Sequence, residues 1–203
     1  ELKIDNVQIG DDVRIARVRA SPEPGSLLSE KKAFTQIHLD GAVLPQAMLG
    51  DLVFGSIKTD GARIGELSFS DLRLDGSLGL PKLAGEISFG GDGKVAAIML
   101  KGGGDAGIAG RILRKGDSAE FTINAESAPI PFVPGLNLAG FAMRGGANRQ
   151  EMTISAFNGR VYDGVISGNA RIGWSGGWSV AGDVAAKQIN AAVFAPVLIS
   201  EGK

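Results

Sequence analysis

The sequence predicts an all-β chain, mainly antiparallel, folded as a curved, elongated and twisted sheet or groove built of strand repeats, with one or two short helices. Three observations carry that prediction. Apolar and polar residues alternate with period two in short runs, Gly, Asp and Asn punctuate the runs, and 31 of the 203 residues are Gly, against a usual share of about 7%. Glycine at this density disfavours helices, because each interior Gly costs about 1 kcal/mol relative to Ala. With 44% hydrophobic residues the chain can bury a sizeable core, so extended disorder is not expected.

From the N-terminus, residues 2–9 and 13–18 read as a hairpin. The polar stretch Ser21-Pro22-Glu23-Pro24-Gly25-Ser26 reads as a flexible loop over about residues 20–33, and a short helix is expected at 45–51. Strands follow at 67–74, 85–89, 95–100 and 107–113, with Asp60-Gly61, Asp75-Gly76, Gly90-Gly91-Asp92-Gly93 and Asn158-Gly159 supplying turn chemistry. In residues 120–126, Phe121, Ile123 and Ala125 share one face while Glu120, Thr122, Asn124 and Glu126 share the other. Met152, Ile154 and Ala156 alternate with Thr153 and Ser155, and Ile166, Gly168, Ala170 and Ile172 with Ser167, Asn169 and Arg171. Trp178, Val180, Gly182 and Val184 alternate with Ser179, Ala181, Asp183 and Ala185. These last three strands, joined by turns, should pair antiparallel as a meander. Asn190 caps an expected helix over 190–199 that Pro196 limits.

Residues 98–110 also align with residues 154–168, Asp105, Ile108 and Gly110 matching Asp163, Ile166 and Gly168. That recurrence suggests repeat units at about 84–134 and 140–203 within a single elongated domain, 1–203; chance likeness between Gly-rich strands is the competing explanation.

Composition narrows function. The 21 basic and 22 acidic residues nearly cancel, so no nucleic-acid partner is expected. One His, one Tyr and no Cys remove most side chains that run catalysis or hold transition metals, so neither an enzyme nor a cofactor nor a metal is expected. Absence of Cys fits a reducing cytosol and a bacterial periplasm equally. The longest mostly apolar stretch, residues 191–199, is far short of the roughly 20 residues of a spanning helix. Since the chain begins at Glu1, any targeting or anchoring segment is expected outside it.

Four motifs tempt. Gly102 to Gly107 satisfies G-x-G-x-x-G after an apolar run, but no helix signal follows it. His38 and Asp40, two apart on a strand, suit a base and its orienting carboxylate, yet read more simply as a solvated pair. Trp174 and Trp178 flank a Gly-rich turn, as a carbohydrate platform, a membrane-interface contact or, more simply, the cover of a core end. Lys31-Lys32 and the group Arg111, Arg114 and Lys115 read as solvated faces.

The run from Ile154 to Trp174 holds a Gly159-Arg160-Val161-Tyr162-Asp163-Gly164 turn and a Ser167-Gly168-Asn169-Ala170-Arg171-Ile172 strand. With the following strand from Trp178 and the Asn190-Ala191-Ala192 helix start, it resembles the C-terminal region of AsmA-like proteins, a superfamily that includes TamB. The resemblance is clearest over about the last 55 residues. It implies an architecture like that of bridge-like lipid-transfer proteins, a long curved sheet with an apolar concave groove, and a periplasmic, non-enzymatic segment tethered to the inner membrane by an N-terminal helix outside this chain. Envelope biogenesis, with phospholipid or another acyl-chain lipid as ligand and envelope proteins as further partners, follows from the same resemblance, as does membrane contact only through segments outside the chain. A related architecture occurs in the N component of type II secretion systems. The lipid-facing or core candidates are Met152, Ile154, Ile166, Ala170, Ile172, Val180 and Val184, with Gly168, Ala170 and Gly182 leaving space for a ligand. An ordinary sandwich or barrel core would use the same residues, and a structural module that binds a protein partner through an edge strand is the alternative function.

Overall fold

Antiparallel neighbours joined by tight turns build a sheet strand by strand, and here they build a single one. The computed structural model of the chain describes residues 1–26, 28, 32–55, 62–76, 81–102, 107–129, 137–174 and 179–189. Its strands are β1 (Leu2–Ile9), β2 (Val13–Pro22), β3 (Ala33–Pro45), β4 (Arg63–Asp75), β5 (Leu83–Phe89), β6 (Val95–Gly102), β7 (Ala109–Lys115), β8 (Ser118–Pro129), β9 (Asn137–Asn148), β10 (Glu151–Val161), β11 (Gly164–Gly173) and β12 (Ser179–Lys187). They form one open, curved sheet in sequence order, as the all-β, mainly antiparallel expectation has it. The aligned segments 98–110 and 154–168 fall on the β6–β7 and β10–β11 strand pairs.

One pairing departs from the meander. Strands β3 and β4 run parallel, with Ile37 opposite Leu67 and Pro45 opposite Asp75. Parallel neighbours cannot be joined by a tight turn, so the chain must cross from one end of the sheet to the other between them. That crossover carries α1 (Leu49–Phe54). The helix starts later than expected because Pro45 still belongs to β3 and residues 46–48 form a 3-10 turn first. The helix expected over 190–199, Trp178, Lys31 and the Asp60-Gly61 turn lie outside the described residues.

Two strands, β3 and β9, escape the alternation test. Within β3, inward Ile37 and Leu39 give way to inward Ala42 and Leu44, because Gly41 (φ 63) shifts the phase by one residue. Asn6 (φ 55) in β1 and Asp71 (φ 51) in β4 do the same at the same level. Gly, Asn and Asp are the residues that tolerate this left-handed conformation. Gly140 (φ 57) shifts β9 likewise.

The register assigns one apolar face to the whole sheet, called the inner face below. Across β2 to β6 it forms the main core, centred on Ile87 (1% exposed), with Ile15, Ala42, Leu72 and Ile98, and Leu52 and Val53 of α1 pack against it. Fully burying such an aliphatic side chain stabilises by about 1.5–3 kcal/mol. The crossover is fastened at its far end: Arg149, in the β9–β10 turn, donates through Nη2 to the carbonyl of buried Phe54 and places Nη1 4.0 Å from Asp51 Oδ1. Trp174 Nε1 in turn donates to the Arg149 carbonyl at 2.7 Å.

The stretch from Ser21 to Ser26 completes β2 and turns through residues 24–26, where buried Ser26 donates from Oγ to the Glu23 carbonyl and accepts the Ala33 N–H; residues 27 and 29–31 of the expected loop lie outside the described residues. One reading of a surface residue is corrected. Arg114 shares the inner face with Ile112 instead of a solvated one, because it stands opposite Ala119, which is buried.

Candidate functional site: the open inner face of strands nine to twelve

Residues opposite each other in a pleated sheet share a face, so the pairings from β7 to β12 define rows that run across the strands. One row is Arg114, Ala119, Ala147, Met152, Ile172 and Val180. The next is Ile112, Phe121, Gly145, Ile154, Ala170 and Gly182. A third is Gly110, Ile123, Met143, Phe157, Gly168 and Val184. These rows bring together Met152, Ile154, Ala170, Ile172, Val180 and Val184 on one surface. Ile166 lies on the same face but packs into a small second core with Leu138 and Val161 at one end of β9 to β11.

Cover over this face thins toward the edge. Phe121 and Ala125 of β8 are buried, the side chains that β10 and β11 place on these rows are half-buried, and Val180 and Val184 of β12 are 61% and 63% exposed. The opposite face is polar: Arg144, Thr153, Asn169, Arg171 and Asp183 follow the same register one residue out of phase.

Alternation alone misses Phe157. A bulge between Ile154 and Phe157 turns Ala156 outward and Phe157 inward. The bulge also corrects the idea of space beside Gly168: a Cβ there would stand 2.9 Å from the Phe157 ring and collide with the Asp183 carbonyl. Phe121 covers Gly145 and Phe69 covers Gly85 in the same way. Glycine on this face therefore seats an aromatic ring and lets neighbouring backbones approach.

The His38 pair resolves differently. Ser70 Oγ donates to Asp40 Oδ1 at 3.0 Å, so it accepts from His38 Nε2 at 3.0 Å, and His38 Nδ1 shares a hydrogen bond with Ser68 Oγ at 2.9 Å. All four groups sit on the outer face across β3 and β4, each already engaged. The arrangement ties two parallel strands together, in place of the solvated pair expected. Neighbouring Arg17 donates to Asp5 at 2.7 Å, which raises its pKa above the ordinary guanidinium value. Where the sheet opens at the start of β3 and β4, a cleft of about 580 Å³ is lined by Phe34, Ile64, Phe89 and the Glu23–Arg63 ion pair.

Residues 103–106 of the G-x-G-x-x-G match lie outside the described residues, and strand β7 follows it where a dinucleotide site needs a helix. Among the described residues no cluster of three acidic or His side chains could hold a metal, and no helix is long and apolar enough to cross a membrane. No protein-family model, curated protein or solved structure matches the chain.

Proposed function

We propose that this chain is a non-enzymatic, periplasmic segment of an AsmA-like envelope-biogenesis protein whose inner face holds the acyl chains of phospholipid. The observation that carries the reading is the apolar inner face of β9 to β12, continuous with the core yet increasingly uncovered toward β12. Acyl chains are non-directional ligands and need such a face without placed polar partners. Each methylene removed from water contributes about 0.8 kcal/mol, so contact along a few strands is enough to retain a chain. The likeness of residues 154–190 to AsmA-like proteins supports the lipid as ligand and the periplasm as location.

Native mass spectrometry with lipid extraction of the protein purified from a Gram-negative host tests the reading. Co-purified phospholipid that is lost in Val180→Glu and Val184→Glu, both at exposed positions that leave the core intact, is the expected result. A lipid-free wild-type protein that also takes up no phospholipid from vesicles overturns it.

The alternative, a module that recruits a protein strand, draws on β12 itself. Every residue of this edge strand is exposed, and among the described residues no strand pairs with its outer backbone groups. Such an edge is a template for strand addition. A charged Val184→Lys variant that loses a protein partner but keeps its lipid would favour that reading.

A further inference from the structure

Strand β12 lacks the devices by which sheet edges avoid one another. Its pairing with β11 runs from Ser179 to Lys187 without a bulge, it contains no Pro, and every residue is exposed. Its outer face carries Asp183 and Lys187, neither of which has an ion-pair partner among the described residues. The other edge is engaged and interrupted. In β1, Lys3 is paired with Glu1 and Asp5 with Arg17, and the ladder with β2 skips Asn6 (φ 55).

We infer that β12 is a dimerisation edge whose partner is β12 of a second copy of this chain, paired antiparallel over residues 183–187. The inference names the strand that adds to this edge, and it stands apart from the acyl-chain reading. Strand direction is the first argument. Every neighbouring pair is antiparallel except β3–β4, so β1 and β12 run the same way. A β1 strand added to β12 with the apolar faces on one side would be parallel, the slightly weaker arrangement, and would leave an open edge for the next copy. A second β12, related by a two-fold axis normal to the sheet, adds antiparallel, keeps the apolar faces on one side and closes the assembly at two copies.

Charge then selects the register. With the two strands overlapped end to end, Ser179 opposite Lys187, Asp183 stands against Asp183 of the second copy, and like charges directly opposite are destabilising. With Ala185 on the axis, Asp183 stands opposite Lys187 in both directions, which sets two opposite-charge pairs on the outer face. The same register puts Val184, 63% exposed in the single chain, opposite Ala186 on the inner face, so the apolar rows continue from one copy into the next.

Analytical ultracentrifugation of the whole chain tests this, with thermal melting as a control for folding. A joint confined to residues 183–187 lies below the standard interface of about 1,600 Å², so wild type should show a monomer–dimer equilibrium with a dissociation constant of about 10–100 μM and no larger species. Asp183→Lys and Lys187→Asp should each weaken the dimer at least about tenfold, because either sets like charges opposite each other twice, and the double exchange should restore it. Mixed together, the two single variants should form a heterodimer, since every Lys then faces an Asp. A wild type still monomeric at about 1 mM overturns the proposal, as does a dimer whose affinity neither charge reversal changes. Growth into longer assemblies overturns the two-fold joint in favour of β12 on β1. The chain has no Cys, so Ala185→Cys supplies a second readout. Facing positions on the axis fall within the Cα separation of about 4.4–6.8 Å that a disulfide spans, so mild oxidation should crosslink Ala185→Cys but not Ala181→Cys, and equal crosslinking at both overturns the register.

Discussion

The ring of Phe157 lies across Gly168 on the neighbouring strand, so close that a methyl group added to the glycine would stand 2.9 Å from Cε1. The two are register partners on the inner face, and the same arrangement joins Phe121 to Gly145 and Phe69 to Gly85. At all three glycines an added Cβ would also collide with a backbone carbonyl of the strand on the other side. Gly168→Ala must therefore displace backbone as well as a ring. We expect it to destabilise the protein by about 2–4 kcal/mol in urea unfolding, at the upper end of ordinary point substitutions. Phe157→Ala should cost about 2–3 kcal/mol, below the 3–5 of a fully buried Phe because the ring is half-buried. If alanine at 168 melts like wild type, the close approach is not a feature of the fold in solution.

These pairs also mark where the sequence stops being legible. Alternation with glycine punctuation is enough for β11, β12 and the first residues of β10, since their pairing keeps even-numbered residues opposite even-numbered ones, Ile154 opposite Ala170, Ala170 opposite Gly182 and Ile172 opposite Val180. It fails wherever one residue shifts the phase, as at Gly41, Gly140 and the bulge before Phe157. The parallel β3–β4 pair was hidden for another reason: nothing local to either strand encodes the direction of its partner, which the crossover decides. Arg114 illustrates the limit for the site. Its neighbours Arg111 and Lys115 are exposed, and composition alone groups all three, while only the register separates the inward one.

The chain of hydrogen bonds from Ser68 through His38 and Ser70 to Asp40 is short and spans the parallel β3–β4 pair. Removing its middle hydroxyl strands both an imidazole N–H and a carboxylate in a half-buried setting. Ser70→Ala should lower unfolding free energy by about 1–3 kcal/mol, whereas Ser118→Ala, whose hydroxyl only meets the Lys115 carbonyl at an exposed turn, should change it by less than about 1 kcal/mol. Equal losses at the two positions would contradict an interstrand lock at His38.

Exposed ion pairs cover the outer face, Arg17–Asp5, Lys115–Glu120 and Lys101–Glu86 among them. Solvent screens such pairs, and each is worth about 0–1 kcal/mol. Unfolding midpoints measured from low salt to 1 M NaCl should therefore move by only a few degrees. A collapse of stability at high salt would mean that charge, and not the inner core around Ile87, dominates the fold.

The fastening of α1 yields a more local prediction. Arg149 reaches Phe54, at a sequence separation of 95 residues, and Asp51 beside it, and its own carbonyl is held by Trp174. A helix of six residues has too few internal hydrogen bonds to persist alone, so its position depends on this contact and on Leu52 and Val53. Arg149→Ala leaves those apolar contacts in place and removes the polar one. Hydrogen exchange should then accelerate selectively in residues 49–55, by about tenfold or more, while β5 and β6 keep their protection. Arg149→Lys should restore little, because an ammonium cannot satisfy the Phe54 carbonyl and the Asp51 carboxylate with the two-pronged geometry of a guanidinium. Uniform acceleration throughout the sheet would show that α1 is part of the global folding unit, and unchanged exchange would show that the apolar contacts alone hold it.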